Sequence, residues 1–182
     1  MASHQELIKV TKSWIADFVI SYGLCPFAKQ PFDDGLIAYA VSSATADQDI
    51  LASLWDSCSQ MLDIDTARIS NMFLLLPSIN TFDRLLAVED LCIGFMMEST
   101  LDTVFQLVAF HPDFRFGGEP EDAAGHYVNR SPTPMLHILR VAEVAEATAA
   151  LANADDIPDR NKALLEQLGS DTLAATLHKY IR

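Results

Sequence analysis

The sequence lacks the paired cysteines from which a disulfide framework or a thiolate zinc site is built. Its three cysteines, Cys25, Cys58 and Cys92, are odd in number, and none belongs to a Cys-x-x-Cys pair. No apolar run approaches the roughly 18 residues that span a bilayer. The first residues, MASHQELIKVTKS, lack the apolar core of a signal peptide. We therefore expect a soluble cytoplasmic protein with reduced thiols.

Positive charge is also scarce. The 182 residues include 12 Lys and Arg against 25 Asp and Glu, which gives a net charge of −13. Such a surface repels phosphate backbones and anionic lipid headgroups, which argues against nucleic-acid and membrane partners. Half of the residues are apolar and a fifth are charged, as in globular proteins. The length is that of one domain, 1–182.

Short apolar runs predict three buried strands, at 36–41, 69–76 and 104–110. Apolar residues at intervals of three and four predict helices at 7–22, 47–62, 82–97, 158–168 and 171–180. Pro132 and Pro134 suit the first turn of a helix, so a further helix is expected from there to about Ala152.

Helices of more than ten residues between consecutive strands favour parallel pairing, because each is long enough to return the chain. The continuous apolar character of the strands agrees, since parallel strands are covered on both faces. The predicted fold is α/β, with a small, mostly parallel three-stranded sheet, helices packed on it and a C-terminal helical pair. Strand 104–110 is expected to lie parallel to at least one neighbour. An α+β fold with antiparallel pairing is the alternative.

The polar stretch at 110–140 is the predicted site, because long polar segments between regular elements are frequently functional. It follows the third predicted strand, and ligands gather beyond the carboxyl ends of strands in open α/β sheets. It contains no Asp or Glu from 123 onwards. Its histidines and arginines are His111, His126, His137, Arg115, Arg130 and Arg140.

Arg130 lies just before the expected helix at Pro132 to Pro134. A helix N-terminus offers free N–H groups and a partial positive charge to an anion, and a guanidinium adds a planar two-pronged contact. We therefore expect a pocket for a small anionic ligand. Its candidate ligand-binding residues are Asp113, Asn129, Arg130 and Arg140. The alternative is that Arg130 pairs with Asp113 or Asp122 and only holds the loop in place.

Three residues are candidates for catalysis. His111 and His137 suit an acid or base, because the unperturbed pKa of histidine lies near neutrality. Cys25 precedes Pro26 at a possible helix start, a position that lowers the pKa of a thiol, and a histidine beside it would form a Cys–His pair. The apolar neighbours of Cys25 favour the alternative of a buried, inert thiol.

The predicted site also includes side chains of the types that bind metal ions, but their spacing matches no known metal-binding motif. Imidazole and carboxylate groups suit zinc, iron or manganese. The candidate groups are those of His111, Asp113, Asp122, His126 and His137. Their spacing matches no motif such as HExxH, so no metal site is predicted, and no cofactor is indicated.

Four segments occur in a characteristic order and spacing: LCPFA at 24–28, FHPDFRF at 110–116, NRSPTPMLHILR at 129–140 and IPDRNKALLEQLG at 157–169. Together with the length, they resemble the bacterial proteins of domain-of-unknown-function family 1415. The resemblance covers nearly the whole chain and implies a one-domain cytoplasmic protein, but it transfers no activity. In that family an acidic residue follows the HxLR sequence, where this chain has Val141 and reaches Glu143 two positions later. The family usually has an aromatic residue in place of Thr133.

The sequence thus predicts a soluble protein, either an enzyme or a small-molecule-binding protein, with an anion-binding pocket of histidine and arginine. The alternative is a non-catalytic interaction protein in which the same motif is structural. A metal-dependent hydrolase is a third and weaker hypothesis.

Overall fold

A computed structural model describes residues 2–181 of the chain. Its strands form one four-stranded sheet and are β1 (Ile37–Val41), β2 (Asn71–Leu75), β3 (Phe105–Phe110) and β4 (Met135–Arg140). They lie side by side in the order β1-β2-β4-β3. β1 is parallel to β2, whereas β4 is antiparallel to both of its neighbours.

The α-helices among residues 2–181 are α1 (His4–Trp14), α2 (Lys29–Asp33), α3 (Asp47–Asp63), α4 (Phe82–Glu98), α5 (Val141–Ala149), α6 (Ile157–Leu168) and α7 (Ser170–His178). α1 continues as a π-helix over Ile15–Ile20. Gly23 follows in the left-handed conformation, with φ of 64°, as expected of a residue that ends a helix. The helices predicted at 7–22, 158–168 and 171–180 are confirmed as α1 with its π-helical continuation, α6 and α7. No helix within the described range is long and apolar enough to cross a membrane.

Helices cover both faces of the sheet. Alternate residues of each strand point to opposite faces, so each face has its own set of packed side chains. α3 and α4 pack on the first face, where Leu74 and Leu136 are buried. The N-terminal helix, α6 and α7 contribute to a second cluster, which includes Leu75 and Met135 on the opposite face. Burial on both faces explains why the strands are continuously apolar in sequence.

The helix predicted from Pro132 to about Ala152 is wrong in its first half. β4 occupies that half, and the helix begins only at Val141. A residue before a proline is held away from the helical region, so two prolines two positions apart keep the chain extended. The Pro134 carbonyl already accepts a hydrogen bond from the Leu76 amide, at 2.8 Å. A six-residue apolar run cannot be assigned by periodicity alone, and pairing on both sides makes this one a strand.

The missed strand also changes the topology. Among residues 2–181 the sheet has four strands instead of three, and only the β1–β2 pair is parallel. β4 lies between β2 and β3, so the expectation that strand 104–110 has a parallel neighbour is wrong. In the described part of the chain, the one strand that pairs with β3 is β4, and this pairing is antiparallel. The fold is therefore mixed α/β, with the predicted parallel character confined to one edge.

Candidate functional site

A cavity of about 580 Å³ lies on the second face of the sheet, and we call it the sheet-face cavity. Its floor includes Phe73 of β2, Val108 of β3 and His137 of β4. Its walls come from the N-terminal helical segment with the following loop, 14–31, and from α5 with the two residues after it. The π-helical turn contributes to this wall, and such turns are frequent at functional sites. The cavity thus lies on a sheet face and not beyond the carboxyl ends of parallel strands.

His137 occupies the middle of this floor. It pairs with Phe73 on one side and Val108 on the other, in a row that continues to Tyr39 of β1. The His137 and Phe73 rings are stacked, with centroids 3.9 Å apart and planes inclined by 11°. Burial lowers the pKa of His137 to about 3. The imidazole is therefore neutral near physiological pH.

A chain of hydrogen bonds runs from His137 to α5. The Nε2 atom of His137 bonds to Oδ1 of Asn71, at 2.9 Å. Nδ2 of Asn71 donates to Oγ of Ser70, at 3.4 Å, and this hydroxyl donates to Oε2 of Glu143, at 2.6 Å. All four residues line the sheet-face cavity. Four of the polar residues that line this largely apolar cavity thus form one connected network.

Arg140 also lines the cavity, and one of its terminal nitrogens is bound within the protein. Its Nη2 atom donates to the carbonyls of Met61, Ile64 (3.2 Å) and Ile69 (3.3 Å). Met61 lies in the last turn of α3, where carbonyls lack helical partners and a positive charge is favourable. The guanidinium also lies 5.7 Å from the centroid of the Phe105 ring. Arg140 therefore joins the end of α3 and the segment before β2 to the end of β4.

Two further predicted residues reach the cavity. Asn129 lines it, and its Nδ2 donates to the Ala109 carbonyl at 3.1 Å. Cys25 lines it and is partly exposed. Burial raises the pKa of the Cys25 thiol, although the backbone amides of Phe27 and Ala28 oppose this. The lowered thiol pKa expected from a helix start is wrong at Cys25, because desolvation outweighs those amides.

Arg130 and Asp113 lie apart from the cavity, at a separate open depression beside the start of α4. The Nε atom of Arg130 donates to the Phe114 carbonyl at 3.2 Å, and its guanidinium lies 4.4 Å from the centroid of the Tyr127 ring. The expected helix N-terminus after Arg130 is absent, since β4 follows it. Within residues 2–181 no salt bridge joins Arg130 to Asp113 or Asp122. Arg130 therefore stabilises the loop through its hydrogen bond to the Phe114 carbonyl and its contact with the Tyr127 ring.

The other histidines of the predicted site are buried within the loop. His111 is 2 % exposed, and its Nδ1 accepts the Asp113 amide at 3.0 Å. Burial lowers the pKa of His111, and the Asp113 carboxylate partly opposes this. His126 is fully buried, and its Nδ1 accepts the amide of Phe116 at 3.1 Å. Neither residue lines the sheet-face cavity. In the described part of the chain, no three His, Cys, Asp or Glu residues are grouped so as to hold a metal ion.

Ser70, Asn71 and Glu143 were not among the site residues predicted from the sequence. One signal was available, because Ser70 and Asn71 are polar residues inside the apolar run ISNMFLLL. Both are buried in the structure, and buried polar side chains in a strand need partners. Glu143 stood out in the sequence only as the acidic residue two positions after Val141, and its place beside Ser70 became clear only with the fold.

Comparison with known families agrees with the resemblance seen in the sequence. The family described as "Protein of unknown function (DUF1415)" matches residues 6–175 of the 182. The chain belongs to the DUF1415 family. No curated protein and no solved structure matches it. In this DUF1415 member, Glu143 is the acid that reaches His137 through Ser70 and Asn71, although Val141 stands directly after the HxLR sequence.

Proposed function

We propose that this protein binds a small, largely apolar, uncharged molecule in the sheet-face cavity. The observation that carries the proposal is a partly open space of about 580 Å³ on the sheet face, lined by apolar side chains and by a connected polar network. Small-molecule sites are typically apolar cavities of 300–1,000 Å³ or so with a few placed polar groups.

The charges around the cavity favour an uncharged ligand over the anion expected from the sequence. His137 is neutral near pH 7 because burial lowers its pKa to about 3. Nη2 of the Arg140 guanidinium donates to backbone carbonyls. Glu143 adds a carboxylate to the lining. The charges of Arg140 and Glu143 on the lining therefore offset each other, which favours a neutral molecule over an anion.

A catalytic role for Cys25 is not part of the proposal. Burial raises the pKa of its thiol, so little thiolate forms near neutrality. His137 is a weak base in this environment for the same physical reason. Both residues line the cavity and are proposed to contact the ligand.

A second candidate function is that of an interaction protein, and a specific observation favours it. Trp55 of α3 and Ile93 and Met97 of α4 are 47 %, 41 % and 62 % exposed, although all three are large apolar residues. Exposed apolar groups of this kind occur at protein interfaces. Sedimentation of the protein and of Met97→Lys over a range of concentrations tests self-association. An unchanged monomer in both would remove the case for a second copy.

The binding proposal can be tested with the protein's own fluorescence. The chain has two tryptophans, of which Trp14 lines the cavity and is 1 % exposed. In a Trp55→Phe background, Trp14 is the only indole reporter. Titration with the neutral fluorescent probe Prodan should quench Trp14 and shift Prodan emission to the blue, with saturation at one equivalent.

A pair of variants on α5 provides the control. Ala147 lines the cavity, and Ala145 lies on the same helix but is exposed and outside the lining. Ala147→Phe should fill part of the space and weaken Prodan binding at least tenfold. Ala145→Phe adds the same side chain on the outer surface and should leave the affinity unchanged. Equal binding by both variants would show that Prodan binds elsewhere.

A further inference from the structure

The direction of every hydrogen bond in the cavity network follows from Glu143. A carboxylate can only accept hydrogen bonds. The hydroxyl of Ser70 therefore donates to Oε2 of Glu143, at 2.6 Å. With its proton directed at Glu143, the Ser70 oxygen accepts from Nδ2 of Asn71, at 3.4 Å.

This direction determines the protonation of His137. Because Nδ2 of Asn71 faces Ser70, Oδ1 of Asn71 faces the imidazole, 2.9 Å from Nε2. An amide oxygen can only accept, so Nε2 must carry the proton. In a neutral imidazole the other nitrogen is then an acceptor. Nδ1 of His137 is that acceptor.

Nδ1 of His137 is open to a ligand. None of residues 2–181 makes a hydrogen bond to it. Some unpaired polar atoms are fully buried, such as Nε1 of Trp14 and Nε of Arg140. Nδ1 of His137 is unpaired but not fully buried, so Nδ1 keeps solvent-accessible surface. Since His137 lines the cavity, we take that surface to face it.

Asn129 adds a second acceptor on the same lining. Its Nδ2 donates to the Ala109 carbonyl, so Oδ1 is directed elsewhere. No partner for Oδ1 occurs within the described range. The open polar atoms of His137 and Asn129 are therefore acceptors, and they call for a ligand that donates.

We propose that the ligand of the sheet-face cavity is an uncharged, largely apolar alcohol or phenol whose hydroxyl donates to Nδ1 of His137. This inference rests on the proposed binding function and specifies the ligand's class. Glu143 acts as a positioning residue, because its carboxylate sets the direction of the bonds through Ser70 and Asn71. An ether has only acceptor atoms and would leave Nδ1 without a hydrogen-bond partner. The negative charge of a carboxylate would in addition be repelled by the lone pair of Nδ1.

A matched pair of probes tests the donor directly. 2-Naphthol and 2-methoxynaphthalene share one apolar body, and only the first can donate a hydrogen bond. In calorimetric titrations the wild type should bind the naphthol two- to tenfold or so more tightly, as one neutral hydrogen bond implies. His137→Phe keeps a flat ring against Phe73 and should bind the two probes equally. Equal affinities of the wild type for both probes would overturn the donor assignment while leaving cavity binding intact.

The other outcomes are also distinct. If neither probe nor Prodan binds, the cavity function itself fails and the ligand class fails with it. Long-range ¹H–¹⁵N spectra of the unliganded wild type provide a measurement that needs no variant to fold. They should show the His137 proton on Nε2, and Ser70→Ala should yield a mixture of the two neutral forms. A proton on Nδ1 in the wild type would contradict the inference.

Discussion

The imidazole of His137 lies flat on the ring of Phe73, with centroids 3.9 Å apart. The two residues are direct partners on antiparallel strands, β4 and β2. Stacking on one ring face and a hydrogen bond to Asn71 in the ring plane leave few orientations open to the imidazole. A histidine held in this way is prepared to recognise a ligand before the ligand arrives, which lowers the entropic cost of binding.

The lowered pKa of His137 should make stability depend on pH. The unfolded chain takes up the proton near pH 6.5 and the folded protein only near pH 3, so the unfolded state binds more protons between these values. The contribution of neutral His137 to the free energy of unfolding is therefore fully present above pH 6.5. It is lost as the pH falls from there towards 3, by about 1.4 kcal/mol per pH unit. Urea unfolding of wild type and His137→Phe at pH 7, 6, 5 and 4 measures the difference.

The variant should lose stability less steeply than the wild type over this range. His178→Phe alters an exposed histidine on α7 and should keep the wild-type slope. Identical slopes for wild type and His137→Phe would show that His137 titrates normally in the folded protein.

The cysteines should differ in reactivity towards a maleimide. Cys25 is partly exposed at the cavity, whereas Cys58 and Cys92 are fully buried. Burial also raises the pKa of each of these two thiols to about 12. Mass spectrometry should find Cys25 labelled first, at a rate that still rises through pH 9 because its pKa is also raised. Saturating Prodan should slow that labelling; equal, slow reaction of all three cysteines would exclude Cys25 from an open site.

Arg140 should contribute to stability through the carbonyls that it binds. Arg140→Met keeps much of the aliphatic stem but leaves the Ile64 and Ile69 carbonyls without this donor. Hydrogen bonds from a charged donor contribute roughly 1.5–3 kcal/mol each, so we expect a loss of at least that size. Urea denaturation provides the measurement. Arg68→Met, at an exposed arginine between α3 and β2, should cost less than about 0.5 kcal/mol, and similar losses at the two positions would contradict the role of Arg140.

Arg130 should stabilise the loop with or without an anion. Arg130→Met removes the bond to the Phe114 carbonyl and the stacking on Tyr127, at an expected cost of roughly 1–3 kcal/mol. Sulfate should raise the melting temperature of wild type and variant equally, after comparison with chloride at matched ionic strength. A rise specific to the wild type would restore the anion site that the sequence suggested.

The amino-acid sequence by itself determined the elements whose signals are local. Apolar runs identified β1, β2 and β3, and three- and four-residue spacing identified α3 and α4 within a residue or two. These signals work because each element shows its buried side in consecutive residues. Four of the seven predicted site residues also line the cavity: Cys25, Asn129, His137 and Arg140.

The tertiary structure decided everything that depends on distant partners. The segment at 135–140 is a strand because β2 and β3 lie on either side of it, and this also places His137 on the sheet face. The polar network joins Asn71 to His137 across 66 residues and Ser70 to Glu143 across 73. Neither pairing has a periodic trace in the sequence, because a side-chain hydrogen bond requires only that two groups meet in space. The same reason removed His111 and Arg130 from the site, since both found partners within their own loop.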